Sequence, residues 1–387
     1  MYLLLLFYSF VQSTGANVYN KKNNHVSSME ETVAARIITK YLKKGNMARC
    51  LRDILPSTGL SKKQREEIAE IVHTMVRWKR LYEHMIHSRG LNDSATTYVK
   101  LALEGAQADA SSFPFEFRYS CSPYVANLLK DHGDWAEFLN ETPPTTLCVN
   151  FNKSTIDDVM SMLQQESLPA ERSLLATAIL TSSISKYSKV IQQRFAHVQD
   201  ESSQLVSLLT ASLGEPIFDY CAGNGGKSLA IASMTKNQKK LHAYEMNAAK
   251  RTTLKRRCSE YNANVTVEDN LSEKKYDVVL VDAPCTGLSA ARRNPEAKYV
   301  ESPGDLPQTQ VSILKQAAEN VKSGGVLFYA VCTMTSEETT QVIQTFVKKN
   351  VFTLFQFDDL PHTEFLLKNK YGAFTTLPRG DLFFPLF

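Results

Sequence analysis

Apolar residues recur at helix spacing through the first third of the chain and gather into short continuous runs in its last half. Val33, Ile37, Ile38, Tyr41 and Leu42 repeat every three to four positions. Pro56 and Gly59 break that pattern, and Ser61 with Gln64 three residues on forms a capping box. The helix that follows carries Ile68, Ile71, Val72, Met75 and Trp78 on one face. It ends in Arg77, Lys79 and Arg80, bases that first read as a solvated last turn complementing the helix dipole. Residues 30–115 thus predict an all-α domain.

Pro114, Pro123, Pro143 and Pro144 punctuate the next stretch. Leu147 to Phe151 predicts a strand, and Ser154 caps a helix through Ile156, Val159, Met160 and Leu163. Residues 116–195 therefore predict a small α/β module. From Phe218 onward strands and helices alternate. Strands are expected at 217–221, 241–244, 265–267, 278–281 and 326–330, with helices at 226–233, 247–261, 306–321 and 336–348. The near-continuous run Val278-Val279-Leu280-Val281 indicates a parallel sheet buried on both faces. Residues 196–387 predict a doubly wound α/β domain.

Composition adds limits. The 44 basic and 40 acidic residues leave a net charge of +4, too little for the whole surface to attract a polyanion. Seven scattered cysteines without C-x-x-C or H-E-x-x-H give neither a disulfide framework nor a zinc ribbon, so no metal is expected. Cys50, Cys121, Cys148 and Cys258 read as small buried hydrophobes. Leu3 to Val11 is apolar but too short to span a bilayer, and no charge precedes it as in a secretory signal. Residues 1–29 lack acids, as a mitochondrial presequence does, but also lack arginine. They are expected to lie outside the fold, as a targeting or disordered extension of an intracellular protein, with the mitochondrion as the first expectation and the cytoplasm or nucleus as alternatives. No membrane partner is expected.

The first strand of the α/β domain runs into Asp219-Tyr220-Cys221-Ala222-Gly223-Asn224-Gly225-Gly226-Lys227. Glycines there let backbone approach a ligand, and the next helix presents free N–H groups. Gly226-Lys227-Ser228 fits the end of a P-loop, but Cys221 stands where its first glycine is required. Ser228 stands where a dinucleotide fingerprint needs its third glycine. Both failures favour a nucleoside carrying an amino-acid tail over a phosphate ligand. Glu245 ends the second strand, where an acid accepts ribose hydroxyls, and Asp269 follows the third, at the rim for an adenine amino group.

The fourth strand leads into Asp282-Ala283-Pro284-Cys285-Thr286-Gly287, and the fifth into Tyr329-Ala330-Val331-Cys332-Thr333. Neighbouring strands deliver their carboxyl ends to one crevice, so the two cysteines are expected to meet there. A thiolate there could add to carbon 6 of a cytosine and make carbon 5 nucleophilic. Asp282 is placed to stabilise the adduct at ring nitrogen 3.

These stretches, with Val198 to Leu205, Arg292 to Tyr299 and Phe383-Phe384, resemble the RNA 5-methylcytosine methyltransferases of the Rsm/Nop/Sun type. They are most similar to the bacterial Sun branch acting on small-subunit ribosomal RNA. The resemblance implies a Rossmann-like catalytic domain, the small module at Leu147 to Asn150 as an RNA-binding element, and residues 30–115 as a NusB-like domain. It implies S-adenosylmethionine held by Cys221, Ala222, Gly223, Asn224, Gly225, Gly226, Lys227, Glu245, Asp269 and Asp282. It makes Cys332 the nucleophile and Cys285 the helper in product release. RNA contacts are expected from Arg292, Arg293 and Lys298, and from Arg77, Lys79 and Arg80. The chain departs from the family at Asn224, Ser289, Ala291, Val331 and Leu382, around the pocket.

The sequence therefore predicts a monomeric RNA cytosine-5 methyltransferase acting on small-subunit ribosomal RNA or a pre-ribosomal particle. A ribosome-assembly factor that keeps the fold without efficient catalysis is one alternative, and a transfer-RNA methyltransferase another.

Overall fold

The computed structural model describes residues 27–131, 133–271, 273–348 and 352–354, with the backbone of strands at Tyr2–Phe7, Leu366–Lys368 and Phe374–Thr376. The chain forms two compact units, one of residues 16–142 and 290–302, the other of the remainder. The N-terminal strand, β1 (Tyr2–Phe7), belongs to the second.

The first unit is helical: α1 (Ser28–Lys44), α2 (Met47–Ile54), α3 (Lys62–Arg77), α4 (Lys79–Ser88), α5 (Ala95–Glu104), α6 (Phe115–Arg118), α7 (Pro123–Leu129) and α8 (Gly133–Phe138). The expected capping box opens α3, with Ser61 and Gln64 exchanging bonds of 3.3 and 3.0 Å. Ile37, Ile38, Ile68, Val72, Met75, Tyr82 and Val99 close its core, each fully buried side chain contributing about 1.5–3 kcal/mol. Two boundaries differ from expectation. Helical structure continues to Phe138 and stops before Pro143, so residues 116–142 pack here and not in the α/β module. The segment 290–302 also returns to this unit, because Arg292, Ala297 and Lys298 are buried in it.

The second unit opens with a four-stranded antiparallel sheet of β2 (Thr145–Val149), β3 (Ala170–Arg172), β4 (Ala178–Thr181) and β5 (Ala196–Val198) in the order β3-β4-β2-β5. Helix α9 (Ile156–Gln165) covers it and is capped by Thr155, one residue later than expected; α10 (Lys189–Gln192) precedes β5. This module is tied to the larger sheet by Ser233, whose hydroxyl donates to the Val149 carbonyl (3.0 Å), and by Asn150, which donates to the Tyr261 carbonyl (2.9 Å).

The larger part alternates as the sequence predicts: α11 (Glu201–Ser212), β6 (Ile217–Asp219), α12 (Gly226–Met234), β7 (Leu241–Tyr244), α13 (Ala248–Glu260), β8 (Val265–Glu268), β9 (Tyr276–Asp282), α14 (Leu306–Ala318), β10 (Val321–Val331), α15 (Thr340–Val347), β11 (Thr353–Leu354), β12 (Leu366–Lys368) and β13 (Phe374–Thr376). The sheet order is β12-β13-β1-β10-β9-β6-β7-β8, with β11 beside β1; β12 pairs antiparallel to β13 and the other neighbours are parallel. The apolar N-terminal run was expected outside the fold. Its backbone instead forms β1 along β10, from Tyr2 opposite Val326 to Phe7 opposite Val331. An unpaired edge on β10 would leave a row of unsatisfied backbone groups, and a short apolar strand removes it.

Among the described residues no helix is long and apolar enough to cross a membrane.

Candidate active site

The chain order reverses between β6 and β9, which makes their carboxyl ends a topological switch point. Asp219 of β6 lies in register with Leu280, and Asp282 of β9 with Ala330, so the ends of β6, β9 and β10 reach one edge.

At that edge the glycine turn takes left-handed backbone, with φ of +57° at Gly223 and +88° at Gly225. A Cβ on Gly225 would lie 2.5 Å from Leu254 Cδ1, and any other residue there would have to adopt the same left-handed backbone, so glycine is favoured. Glu245 anchors the turn: Oε2 accepts from the Gly223 amide (2.9 Å) and Oε1 from the Asn247 amide (2.8 Å). Arg257 donates to the Asn224 carbonyl (2.7 Å). Gly226 and Lys227 begin α12, and Lys227 turns back so that Nζ lies 2.5 Å from Asp282 Oδ2. Burial pulls the Lys227 ammonium down, but the charge and hydrogen bond of Asp282 outweigh it and hold it above its ordinary value. Asp269 follows β8, its exposed carboxylate held by Lys255 (2.6 Å) and Arg251 (3.4 Å). Cys221 and Ala222 line the turn, and burial pushes the Cys221 thiol up, leaving it neutral.

The two cysteines of interest stand together. Cys285 Sγ and Cys332 Sγ are 3.3 Å apart. The hydrogen bond from Cys285 holds the Cys332 thiol below its ordinary value, with Lys227 acting in the same sense against burial and Asp282. The same bond, then burial, raises Cys285. The arrangement favours ionisation at Cys332 over Cys285. Cys50, Cys121, Cys148 and Cys258 are buried as expected. Val331, the departure next to the nucleophile position, is fully buried in the core with Val281 and Leu327. Ser289 and Ala291 are buried, and Leu382 and Phe383-Phe384 lie outside the described residues.

Several expected RNA contacts are corrected. Arg77, Arg292 and Lys298 are buried in the helical unit, where they serve packing. Arg77 donates to the carbonyls of Glu141 (3.0 Å) and Arg292 (2.8 Å). Arg292 lies over the Phe138 ring at 4.2 Å and pairs with Glu141 at 3.1 Å. Lys298 donates to the carbonyls of Arg77 (2.9 Å) and Tyr119 (3.2 Å) and to Asn140; burial depresses it well below the usual lysine value. It caps the carboxyl end of α3 from a distant part of the chain. Lys79 pairs with Glu83 (3.0 Å), Arg80 stands over Phe117 and Arg293 is half-buried.

Other residues were not legible as site residues. Asp219 is buried, accepts from Ser228 (2.5 Å), and its Oδ1 has no partner among the described residues. Burial pushes its carboxyl up to about 7, against the Ser228 bond. Glu338 is fully buried behind the cysteines. On the helical unit, Arg36, Lys43, Lys44, Arg49 and Arg52 are exposed, on sides of α1 and α2 away from Ala34, Ile38, Met47 and Cys50. Their signal was available: residues 32–52 hold six bases and no acid.

A parallel sheet with a glycine turn after its first strand and an acid after the next is typical of Rossmann-like S-adenosylmethionine-dependent methyltransferases. Residues 206–382 match the family described as 16S rRNA methyltransferase RsmB/F. This part of the chain is similar to Sun/RsmB-type RNA methyltransferases, a family whose methyl donor is S-adenosylmethionine. The chain is 31% identical over 224 residues to the probable ribosomal RNA small subunit methyltransferase B of Bacillus subtilis, covering 54% of this chain and 50% of that protein. It is 25% identical over 276 residues to the protein of the same name from Coxiella burnetii, covering 66% and 62%. The chain spans about half the length of the first of these relatives. Two solved structures share the fold. PH0851 aligns with a TM-score of 0.68 at 18% identity, covering 83% of this chain and 90% of that one. NSun6 from Pyrococcus horikoshii aligns at 0.54 and 15%, covering 58% and 86%.

Proposed function

We propose that this chain is an S-adenosylmethionine-dependent RNA cytosine-5 methyltransferase whose substrate is small-subunit ribosomal RNA, alone or in a pre-ribosomal particle. The observation that carries the reading is the contact of Cys285 and Cys332 beside the Lys227–Asp282 pair at the mouth of a glycine turn. The donor set fits the cofactor. Glu245 offers carboxylate to ribose hydroxyls, the unpartnered Asp219 oxygen suits an ammonium donor, and the glycine turn admits close approach. Cys221, Ala222, Gly223, Asn224, Gly225, Gly226, Lys227, Glu245, Asp269 and Asp282 would hold it, and when bound it supplies an electrophilic methyl group.

The chain's own residues do the rest. The Cys332 thiolate adds to carbon 6 of a cytosine turned out of its helix, and the electron pair of the 5,6 double bond becomes available at carbon 5. Asp282, positioned by Lys227, gives a proton to ring nitrogen 3 as the adduct forms and takes it back when the adduct breaks down. After carbon 5 is methylated, its hydrogen leaves as a proton to a base. The sulfur–carbon bond then breaks and returns the electron pair to Cys332, and Cys285 assists this release. The RNA backbone is held by the exposed bases Arg36, Lys43, Lys44, Arg49 and Arg52, in place of the buried Arg77, Arg292 and Lys298. All seven cysteines are free thiols, which supports a reducing compartment.

The test is transfer of labelled methyl groups to naked small-subunit ribosomal RNA, to assembled subunits and to transfer RNA, with bisulfite sequencing of each product. Label at a defined ribosomal cytosine, lost in Cys332→Ala, is expected. Label confined to transfer RNA would move the substrate. No label anywhere, with cofactor bound, would leave an assembly factor.

A further inference from the structure

Glu338 is completely buried, yet its carboxylate engages four neutral donors. Oε1 accepts from the Thr286 amide (2.9 Å) and Gln310 Nε2 (3.1 Å). Oε2 accepts from the hydroxyls of Thr286 (2.6 Å) and Thr335 (2.9 Å). A buried carboxylate can take about four such bonds, so its capacity is filled. Thr286 follows Cys285 directly, and Thr335 lies three residues after Cys332. The Thr286 and Thr333 hydroxyl oxygens are 2.8 Å apart. The single Thr286 proton already points to Glu338, so Thr333, the residue after Cys332, donates in that contact. Gln310 extends the clamp, giving a hydrogen bond to the Pro284 carbonyl (2.8 Å), the residue before Cys285. The Tyr329 hydroxyl fixes the Glu338 carbonyl (2.9 Å) from β10.

We propose that Glu338 is a positioning residue for the covalent step, tying the turn that carries Cys285 to the turn that carries Cys332 so that the two sulfurs stay in contact. The role rests on the thiol chemistry proposed above, but the clamp stands on geometry alone. Two loops joined only by backbone would let the sulfurs separate. A hydrogen bond between sulfurs fades steeply with distance, so small displacements matter. Every bond that Glu338 makes leads within three residues to one cysteine or the other, or to Pro284 through Gln310. A carboxylate is required because all four partners donate. An amide of the same shape presents two hydrogens where acceptors are needed.

The experiment uses the full chain and the variants Glu338→Gln and Thr286→Val. Thr286→Val removes a single hydroxyl from the clamp and leaves the carboxylate in place. Iodoacetamide alkylation of Cys332 and Cys285 is followed peptide by peptide as pH is raised, beside thermal unfolding and cofactor affinity. The groups facing the sulfurs, Asp282, Lys227, Glu338 and Tyr329, are otherwise unchanged. In the wild type Cys332 should react at least tenfold faster than Cys285 at neutral pH. Each folded variant should lose most of that preference, move the Cys332 profile to higher pH and lower kcat about tenfold or more, with cofactor affinity within twofold. An unchanged profile and preference in either folded variant overturns the proposal, even if stability falls. If wild-type protein shows the thiol preference but methylates no RNA, the functional reading fails while the clamp survives.

Discussion

Cys285 and Cys332 hold their sulfur atoms 3.3 Å apart across 47 residues of sequence. Strand β9 ends three residues before the first, and β10 ends one residue before the second, so parallel pairing in register brings the two turns level. Their contact pulls the two thiols in opposite directions, Cys332 down and Cys285 up.

That division predicts two different failures. Cys332→Ala should abolish methyl transfer with RNA and cofactor affinities nearly intact, because the thiol acts only in the chemical step. Cys285→Ala should accumulate a covalent protein–RNA species, visible as a shifted band on denaturing gels. A shifted band in the first variant and none in the second would reverse the assignment.

Glu245 anchors the Gly223 turn and is the acid proposed to accept the ribose hydroxyls. Glu245→Ala should weaken S-adenosylmethionine binding by about 1–3 kcal/mol, the cost of leaving polar groups unpaired. Titration calorimetry that returned the wild-type affinity would remove Glu245 from the site.

Lys227→Met leaves Asp282 without its cation in a largely buried setting. Breaking a buried pair costs about 3–5 kcal/mol, and the partial exposure of Asp282 argues for about 3. Urea unfolding measures the loss. Alkylation of Cys332 should slow in the same variant, since Lys227 helps to hold that thiol down.

His197 is fully enclosed, and burial lowers it to about 4 from an ordinary 6.5. Between those values the unfolded chain binds the proton and the folded chain does not. Stability is therefore full above the upper value and falls as pH drops toward the lower one, by about 3 kcal/mol. Comparing His197→Gln with wild type at pH 7 and pH 4 isolates this contribution from that of Asp219, which acts in the opposite sense. Equal pH dependence in the two proteins would show that His197 is solvated.

The helical unit offers a paired test of surface and interior. Arg49→Gln with Arg52→Gln should lower the salt slope of RNA binding by roughly 1.5, since each lost phosphate contact removes about 0.7–0.9. Arg292→Ala should instead lower the unfolding temperature and leave the slope unchanged, because its guanidinium packs on Phe138 and pairs with Glu141. A reversed pattern would return Arg292 to the RNA surface.

By itself the sequence determined the alternation of strands and helices, the glycine turn, the acid at Glu245 and the two cysteines. Each of these is a local signal, a hydrophobic period or a residue at a strand end, and the parallel-sheet rule carries strand ends to one crevice. Only the tertiary structure decided the rest. Arg292 and Lys298 read as RNA contacts until segment 290–302 returns to the helical unit and buries them. Glu338 reads as an acid at the start of a helix, where it would complement the dipole, and nothing in its spacing says that it turns inward onto Thr286. The N-terminal run became a strand because β10 offered it an edge. Burial of a charge depends on what the distant chain brings against it, and that is a property of packing which no local pattern encodes.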